Sequence, residues 1–258
     1  MKKIYTFLFS FLTLFSINTF ANDHTESYWH EGFCYQSLER REWGGLYFLP
    51  NEEVPFSGTN KCFYSKNGQK RSEGNFVNGR EKGKWTVWYK NGQKRSEGNY
   101  VNGREEGKWT SWHENGQKES EINVVNGTGK FTWWYKNGQK ELEGNAVNGK
   151  PGCKFTEWHD NGQKESEGNA VNGKPGCNFT GWYKNGQKRS EGIYVNNREE
   201  GKWTWWHDNG QKCQEVNYVN GKQKGNITWW NDNGEKRSGD PELEAYCWCE
   251  DCHTYWPD

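Results

Sequence analysis

The chain has 258 residues, with 34 basic and 34 acidic side chains, so its formal net charge is zero. A balanced charge excludes the electrostatic signature of a protein that binds nucleic acid or an anionic membrane surface. Hydrophobic residues make up only 31% of the chain, but 17% of all residues are aromatic. Because Trp, Tyr and Phe each bury a large area, we expect an ordered protein of one domain.

The first 21 residues have the pattern of a signal peptide. Residues 1–3 carry two lysines, residues 4–17 are apolar, and Thr19 and Ala21 supply small residues where a signal peptidase reads the chain. An uncleaved membrane anchor is the alternative, but the apolar run is shorter than the about 20 residues that a spanning helix needs. We therefore predict an exported protein, periplasmic or secreted, with no transmembrane segment after the signal is removed.

Residues 22–57 precede the regular part of the chain. They include a short predicted strand, Leu46 to Leu49, which Pro50 ends because proline cannot donate to a β-ladder. Arrays of repeats need an atypical first unit, so we interpret this segment as an N-terminal cap. Cys34 and Cys62 flank the cap and are the first predicted disulfide.

A repeat fills residues 58–239. It is marked by a recurring Asn-Gly-Gln-Lys sequence, with one Asn-Gly-Glu-Lys variant, in steps of 24, 24, 22, 24, 24, 24 and 24 residues. The repeats begin at Asn67, Asn91, Asn115, Asn137, Asn161, Asn185, Asn209 and Asn233. A fixed period of this length indicates supersecondary units that bury a face only by stacking on one another.

Each unit has the pattern of a hairpin. A strand ends at Lys90, Asn91-Gly92 is the predicted type I′ turn, and a return strand ends at Asn102-Gly103. A surface loop such as 104–107 is expected to join the units, because length varies only there and falls to Thr128-Gly129 in the 22-residue unit. The predicted fold is all-β: an elongated single-layer antiparallel meander of tandem hairpins of about 24 residues.

Three positions in the first strand of each unit decide how we assign its faces. Trp88 and its equivalents recur seven times, and Thr86 and its equivalents precede them by two residues, so this face is expected to be packed. The position between them varies and includes Glu157 and Gly181, so we expect it to face water. Trp85 and its equivalents put aromatic residues on the opposite face, unless a bulge turns one of them round.

The repeated text resembles the bacterial variant of the MORN (membrane occupation and recognition nexus) repeats. The matching pattern, Trp-Tyr-x-Asn-Gly-Gln-Lys-x-x-Glu-Gly-Asn-Tyr-x-Asn-Gly-x-x-x-Gly-Lys-Trp, spans Trp88 to Trp109 and recurs along the chain. The resemblance implies β-hairpin repeats in an extended sheet. Functions in this family include scaffolding, partner binding, lipid contact and a bacterial label as antitoxin component.

We interpret the chain as a non-enzymatic scaffold for protein–protein contacts that needs no cofactor. An alternative is a module that binds cell-wall polysaccharide through exposed tryptophans about 9.5 Å apart, a spacing that suits stacked sugars. An antitoxin-like component is a further alternative, although a signal peptide fits a cytoplasmic antitoxin poorly. The predicted binding residues are Trp133, Trp205 and Trp229.

The cysteine-rich tail, residues 240–258, offers a different chemistry. Cys249, Cys252 and His253 match the attachment pattern of haem c, and Cys247 joins them as a possible zinc ligand. Disulfides are the expected state of Cys247, Cys249 and Cys252 in an exported chain, so we predict neither haem nor metal. Mature c-type cytochromes commonly use a methionine as the second axial ligand, and the chain has no methionine after Met1.

Two further predictions follow from the flat meander. Cys153 and Cys177 occupy equivalent positions about 9.5 Å apart, too far for a disulfide, so we expect them not to bond. His113, His159 and His207 recur two units apart, about 19 Å between neighbours, so they cannot share a metal ion and are expected at the surface.

Overall fold

The computed structural model describes residues 32–41, 45–126, 128–148, 150–170 and 176–237. These residues form strands and turns, and no helix occurs among them. The strands are β1 Gly32–Cys34, β2 Glu39–Arg40, β3 Tyr47–Phe48, β4 Gly58–Tyr64, β5 Lys70–Val77, β6 Arg80–Trp88, β7 Lys94–Val101, β8 Arg104–Trp112, β9 Lys118–Val125, β10 Thr128–Trp134, β11 Lys140–Val147, β12 Lys150–Trp158, β13 Lys164–Ala170, β14 Cys177–Trp182, β15 Lys188–Val195, β16 Arg198–Trp206, β17 Lys212–Val219 and β18 Lys222–Trp229. The predicted all-β fold is confirmed.

The chain divides into two compact units, and the boundary falls within β11. In the first unit the strand order is β1-β4-β5-β6-β7-β8-β9-β10, and in the second the strands from β12 to β18 follow chain order. Consecutive strands pair antiparallel, as in the β6–β7 and β16–β17 ladders. Each unit is therefore the predicted meander of hairpins.

Among the described residues the type I′ turns lie at the second Asn-Gly of a repeat, or at Asn196-Asn197, so their predicted position was wrong. Asn102 and Gly103 have φ of 53° and 76°, and they join the directly paired residues Val101 and Arg104. A two-residue turn with positive φ at both positions matches the right-handed twist of the strands that it joins. Asparagine and glycine are the residues that adopt this conformation at low cost.

Asn91-Gly92 instead lies in a five-residue loop in which only the glycine has positive φ, at 84°. The backbone NH of Tyr89 donates to the carbonyl of Gln93 and closes the loop at 2.8 Å. The Asn91 side chain accepts from the Gln93 NH at 2.9 Å and donates to the Glu114 carbonyl of the next turn at 2.8 Å. Asparagine is needed here for its side chain, because the amide both shapes its own loop and links it to the next.

The expected surface loop between units is strand instead. Residues 104–107 belong to β8, and the change in length is taken up by a bulge inside the ladder. The register passes from the pair Glu97↔Thr110 to the pair Asn99↔Glu106. Three residues of β8, 107–109, therefore lie opposite the single residue Gly98 of β7. In the 22-residue unit the β9–β10 ladder runs without a step, and Ile122 pairs directly with Phe131. The two missing residues are those that the bulge would otherwise contain.

Side chains are buried on both faces: Thr86 is 6% exposed on the Thr86 and Trp88 face, which is therefore packed as predicted, and Phe131 and Trp203 are 2% exposed on the opposite face. Val87 is buried rather than exposed to water, and so is Gly181 at the equivalent position. The assignment of this position to solvent was therefore wrong. Aromatic residues occupy both faces, as Trp85 and Trp88 show. A register shift between Val87 and Trp88 adds a bulge as well.

The N-terminal cap covers the first hairpins with aromatic rings and a disulfide. Strand β3 lies within the predicted leading strand and pairs with β2 in a separate two-stranded sheet. Tyr47 and Phe56 pack against Phe76 with ring centroids 5.0 and 5.8 Å apart. Cys34 and Cys62 are opposite each other in the β1–β4 pair and form the predicted disulfide.

Cys153 and Cys177 are also bonded, so the prediction that they remain apart was wrong. Their Cα atoms are 5.2 Å apart, within the range that a disulfide tolerates. The β12–β13 register ends at Phe155↔Gly168, and Cys153 lies beyond this last pair. The two-strand spacing used for the prediction applies only where the ladder between the strands continues.

Candidate interaction surfaces

One face of the repeats carries a row of tryptophans, each covered by a lysine. We call it the lysine–tryptophan face. In every pair the lysine nitrogen lies 4.9 to 5.6 Å from the ring centroid, within range of a cation–π interaction. The seven pairs are Lys70/Trp88, Lys94/Trp112, Lys118/Trp134, Lys140/Trp158, Lys164/Trp182, Lys188/Trp206 and Lys212/Trp230.

Each of these lysines also pairs with a glutamate three residues later. Lys118 lies 2.7 Å from Glu121, and Lys108 of the preceding strand approaches the same carboxylate at 3.0 Å. Hydrogen bonds from Lys118 and Lys108 lower the pKa of Glu121. The tryptophan rings of this face are therefore already occupied by the protein's own cations, and those cations are neutralised by carboxylates.

A row of exposed valines lies farther along the same face, beside the type I′ turns. Val101 follows Glu97 by four residues in a regular strand, so it lies on the same side as the Lys94–Glu97 pair. In the first unit Val77, Val101, Val125 and Val147 are 42 to 50% exposed, and in the second Val219 is 47% exposed. An open depression of about 430 Å³ adjoins Val77, with Asn75 and Lys82 at its sides. We call Val77, Val101, Val125, Val147 and Val219 the valine row.

The opposite face carries aromatic rings packed edge to face, together with carboxylates. We call it the aromatic–carboxylate face. In the first unit the rings of Phe76, Trp85, Tyr100 and Trp109 follow one another at 5.4, 5.8 and 5.2 Å. In the second unit Trp203 is 2% exposed and lies 4.7 Å from Tyr194. Such pairs contribute about 0.5–1.5 kcal/mol beyond the area that they bury.

Glycine makes room for these rings. A Cβ added at Gly98 would overlap the Trp109 ring, and one added at Gly192 would overlap the Trp203 ring. Gly98 belongs to the repeated Glu-Gly-Asn sequence, and Trp109 lies in the bulge of the strand opposite it. In the hairpin without a bulge the glycine is replaced by Ile122, which pairs directly with the buried Phe131.

Two glutamates border the rings of the first unit. Tyr100 pairs with Glu105 across the β7–β8 ladder, and its hydroxyl donates to the Glu105 Oε1 at 3.4 Å. Burial raises the pKa of Glu105, although part of the side chain remains exposed to water. Burial likewise raises the pKa of Glu81, where the charge of Arg40 acts in the opposite direction. Sequence analysis missed both residues because it placed the type I′ turn wrongly, and with it the cross-strand pairs around the turn.

The turn after each recurrent tryptophan links one hairpin to the next. The Tyr89 hydroxyl donates to the Trp112 carbonyl at 2.8 Å, and the His113 Nε2 lies 2.9 Å from the Trp134 carbonyl. His159 is only 7% exposed and makes the equivalent contact with Trp182 at 3.1 Å. The expectation that this histidine is a surface side chain was wrong. Tyrosine and histidine can both occupy this position because each can donate a hydrogen to the next carbonyl.

The predicted binding residues Trp133, Trp205 and Trp229 are half-buried rather than exposed. Trp133 lies 4.9 Å from the Phe131 ring, and Trp205 lies 5.6 Å from the Trp203 ring. The indole nitrogen of Trp229 is buried and has no hydrogen-bond partner among the described residues. The premise of three water-facing rings was wrong, and a binding role for them stays a prediction.

Glu157 occupies the same row and is the most perturbed carboxyl of the second unit. Burial and the nearby Glu165 raise its pKa to about 7, while a 2.9 Å hydrogen bond from Ser166 and the charge of Arg189 lower it. Glu165 also lies 3.4 Å from the Nδ1 of His159. The raised pKa of Glu157 links the stability of the folded state to pH.

The tail residues Cys247, Cys249, Cys252 and His253 lie outside the described part of the chain. Cys213 is described, is 1% exposed and is disulfide-bonded. Within the described ranges, no group of three or more metal-binding side chains comes together. The described residues also include no helix that is long and apolar enough to cross a membrane.

The fold and these surfaces define a tandem β-hairpin repeat protein, in which neighbouring hairpins within each compact unit are hydrogen-bonded to one another. The family model of the MORN repeat variant matches residues 81–102, 105–126, 128–148 and 199–220. The chain therefore carries MORN-variant repeats, and the resemblance is confirmed for these four. A comparison with curated proteins found no match.

Proposed function

We propose that this chain is an exported, non-enzymatic repeat protein that binds a protein partner along the valine row of the lysine–tryptophan face. The observation that carries this proposal is the recurrence of an exposed valine at one position in successive hairpin repeats, as at Val77, Val101, Val125 and Val147. Exposed apolar side chains that line up on a surface mark interaction sites. Repetition gives a partner several equivalent contacts along one face, which is how repeat arrays bind.

The charges around the valine row support a protein partner. Arg80 and Arg104 pair directly with Val77 and Val101 across the turns, and both arginines are exposed. An apolar centre with a charged border has the composition of protein–protein interfaces. Export is supported by the pattern of residues 1–21, and the two disulfides are compatible with an oxidising compartment.

Binding of polysaccharide by the tryptophan rows is less well supported. A sugar that stacked on a ring of the lysine–tryptophan face would have to displace the covering lysine from both the ring and its glutamate. Trp133 and Trp205 are packed against neighbouring rings. The antitoxin-like alternative and the haem alternative gain no support from the described residues.

Site-specific photo-crosslinking in the native cells tests the proposal. A photoreactive amino acid replaces Val125 in the full chain, and a control carries it at Glu114, an exposed turn residue. We expect a discrete crosslinked protein from the Val125 probe, none from the Glu114 probe, and loss of the product when Val77, Val101 and Val147 are changed to serine.

Equal crosslinking from both positions, or no protein product, would contradict the proposal. Retention of the purified chain on isolated cell walls provides the competing measurement. If retention occurred and were lost on changing Trp133, Trp205 and Trp229 to alanine, the polysaccharide alternative would replace ours.

A further inference from the structure

We propose that the cysteine-rich tail folds back over strand β18 and caps the C-terminal end of the repeats, held there by a disulfide bond to Cys213. Strand β18 is the last strand of the described sheet, and no described strand pairs with its edge away from β17. An open edge invites pairing with other chains, and arrays of repeats need a terminal unit that protects their ends. This inference goes beyond the partner proposed for the valine row.

The disulfide of Cys213 identifies the segment that reaches this end. Cys213 is buried and disulfide-bonded. The two disulfides described above join the other four described cysteines to one another, so none of these is left for Cys213. The remaining cysteines of the chain all lie in the tail, at Cys247, Cys249 and Cys252. The partner of Cys213 within one chain is therefore one of these three.

Cys213 replaces a charged residue of the earlier repeats. The equivalent positions carry arginine or glutamate: Arg71, Arg95, Glu119, Glu141, Glu165 and Arg189. A Cβ added at Gly181 would lie 3.3 Å from a guanidinium nitrogen of Arg189. The residue equivalent to Gly181 in the next unit is Trp205, which packs against Trp203 on the aromatic–carboxylate face. Cys213 therefore belongs to this face.

The chain enters the tail on the other side of β18 from Cys213. The Trp230 NH donates to the Cys213 carbonyl at 2.9 Å, whereas the Arg237 NH donates to the Trp229 carbonyl at 3.0 Å. Successive residues of a strand point their backbone groups to opposite sides. Residues 238–247 span at most about 33 Å when extended, well over the about 9.5 Å of two strand spacings. The tail can thus reach Cys213 by crossing the end of β18.

The crossing passes over Trp229 on the aromatic–carboxylate face. Trp229 pairs with Gln214, the neighbour of Cys213. Its indole nitrogen is buried and has no hydrogen-bond partner among the described residues. Because a buried donor without an acceptor destabilises a fold, an acceptor is expected beside it. A backbone carbonyl or a carboxylate of the tail supplies one.

The charges of β18 and the tail are complementary. The tail contains no lysine or arginine, and its acidic residues are Asp240, Glu242, Glu244, Glu250, Asp251 and Asp258. The equivalent strands β8 and β16 begin Arg-Glu-Glu, whereas β18 begins with the exposed residues Lys222, Gln223 and Lys224. The last strand thus has lost the two glutamates that would repel an acidic segment, and one of them is replaced by a lysine.

Peptide mapping of the oxidised, monomeric full chain tests the disulfide. Trypsin cuts after Lys212, Lys222 and Arg237 and has no site in the tail. We therefore expect residues 213–222 and 238–258 in one linked product that separates on reduction. A free Cys213 thiol, or a bond from Cys213 to any cysteine outside the tail or to a second chain, would overturn the proposal.

Hydrogen exchange tests whether the tail covers β18. In Cys213→Ala the backbone amides of β18 should exchange at least tenfold faster than in the wild type, because the tail is no longer held over them. Cys62→Ala, which removes the disulfide of the N-terminal cap, is the matched control and should leave exchange in β18 unchanged. Equal exchange in the wild type and Cys213→Ala, or equal acceleration in the control, would contradict the cover.

A third measurement tests the charges without removing the disulfide. Graded dithiothreitol, alkylation and the same peptide map give the effective concentration of the two thiols that form the Cys213 bond. Lys222→Glu combined with Lys224→Glu should lower it about tenfold, with a smaller change in 1 M salt, because attraction of the acidic tail becomes repulsion.

The control combines Lys66→Glu and Lys136→Glu, at exposed turns of the first unit, and should leave the effective concentration unchanged. An unchanged value in the β18 variant, or an equal fall in the control, would overturn the placement of the tail over β18. Partner crosslinking at Val125 is measured separately, so the scaffold proposal can stand while this inference fails.

Discussion

The two faces of each hairpin come from the same strands but hold their side chains by different means. On the lysine–tryptophan face, half-buried rings lie under lysines that glutamates neutralise. On the aromatic–carboxylate face, rings pack on one another and over glycines, and Trp203 is almost fully buried. Burial of apolar area should therefore dominate stability on the second face, whereas charge pairs contribute smaller increments on the first.

The largest expected loss of stability distinguishes two tryptophans of strand β16, Trp203 and Trp206. Trp203→Ala should lower the free energy of unfolding by about 3–5 kcal/mol, because a buried ring is lost and a cavity remains. Trp206→Ala removes a half-buried ring under Lys188 and should cost about half as much. Urea unfolding of both variants gives the difference, and equal losses would remove the distinction between the faces.

The next largest effect is expected at Gly192, which lies beneath the Trp203 ring. Gly192→Ala should destabilise by about 1–3 kcal/mol, since the added methyl group overlaps the Trp203 ring. In the background of Trp203→Ala the same change should cost much less, because the overlap is gone. Additive losses in this double-mutant cycle would show that Gly192 is required for another reason.

Glu157 should make stability depend on pH. Its folded pKa of about 7 lies above the about 4.3 of an unfolded glutamate, so the folded state holds the proton more tightly. This contribution is complete below pH 4 and is lost as pH rises through 7. Glu157→Gln should therefore raise stability at pH 8 by roughly 1–3 kcal/mol relative to its effect at pH 4, measured by urea unfolding at both values. Glu114→Gln, at an exposed turn, is the control and should show no such dependence.

The smallest expected change in stability concerns the lysines that lie over the tryptophan rings, such as Lys118 over Trp134. Lys118→Met keeps the length of the side chain but removes its charge from Trp134 and Glu121, at 5.3 and 2.7 Å. We expect a loss of about 0.5–1 kcal/mol that shrinks in 1 M salt. Lys136→Met, at an exposed turn, should change stability by less, and a larger loss there would contradict a specific role for the cover.

Sequence reasoning found the hairpin, its period and the Cys34–Cys62 disulfide, because these depend on local pattern and on turn residues. It failed where two Asn-Gly pairs of one repeat had to be distinguished. Asn91 and Asn102 are each followed by glycine in the sequence, but they act differently. Asn91 shapes its loop through a side-chain hydrogen bond, whereas Asn102 adopts the positive φ that a type I′ turn requires. That error also hid Glu105, which faces Tyr100 only when the turn is placed at 102–103.

The position between Thr86 and Trp88 was wrongly assigned to solvent for a related reason. Variation between Val87, Glu157 and Gly181 suggested exposure to water, but neighbouring strands supply different partners to each of them. Glu157 is held by Ser166, and Gly181 leaves room beside Arg189 and Ser190. A repeat tolerates different residues at one buried position when the adjacent copy varies with it.

The amino-acid sequence by itself determined that this protein is a series of β-hairpins, since turn chemistry and a two-residue side-chain period act over a few neighbouring residues. Only the tertiary structure decided which turn closes each hairpin tightly, where the bulge absorbs two residues and how Cys153 reaches Cys177. Those outcomes depend on the register between strands, and register is set by contacts between side chains of adjacent copies rather than within one copy.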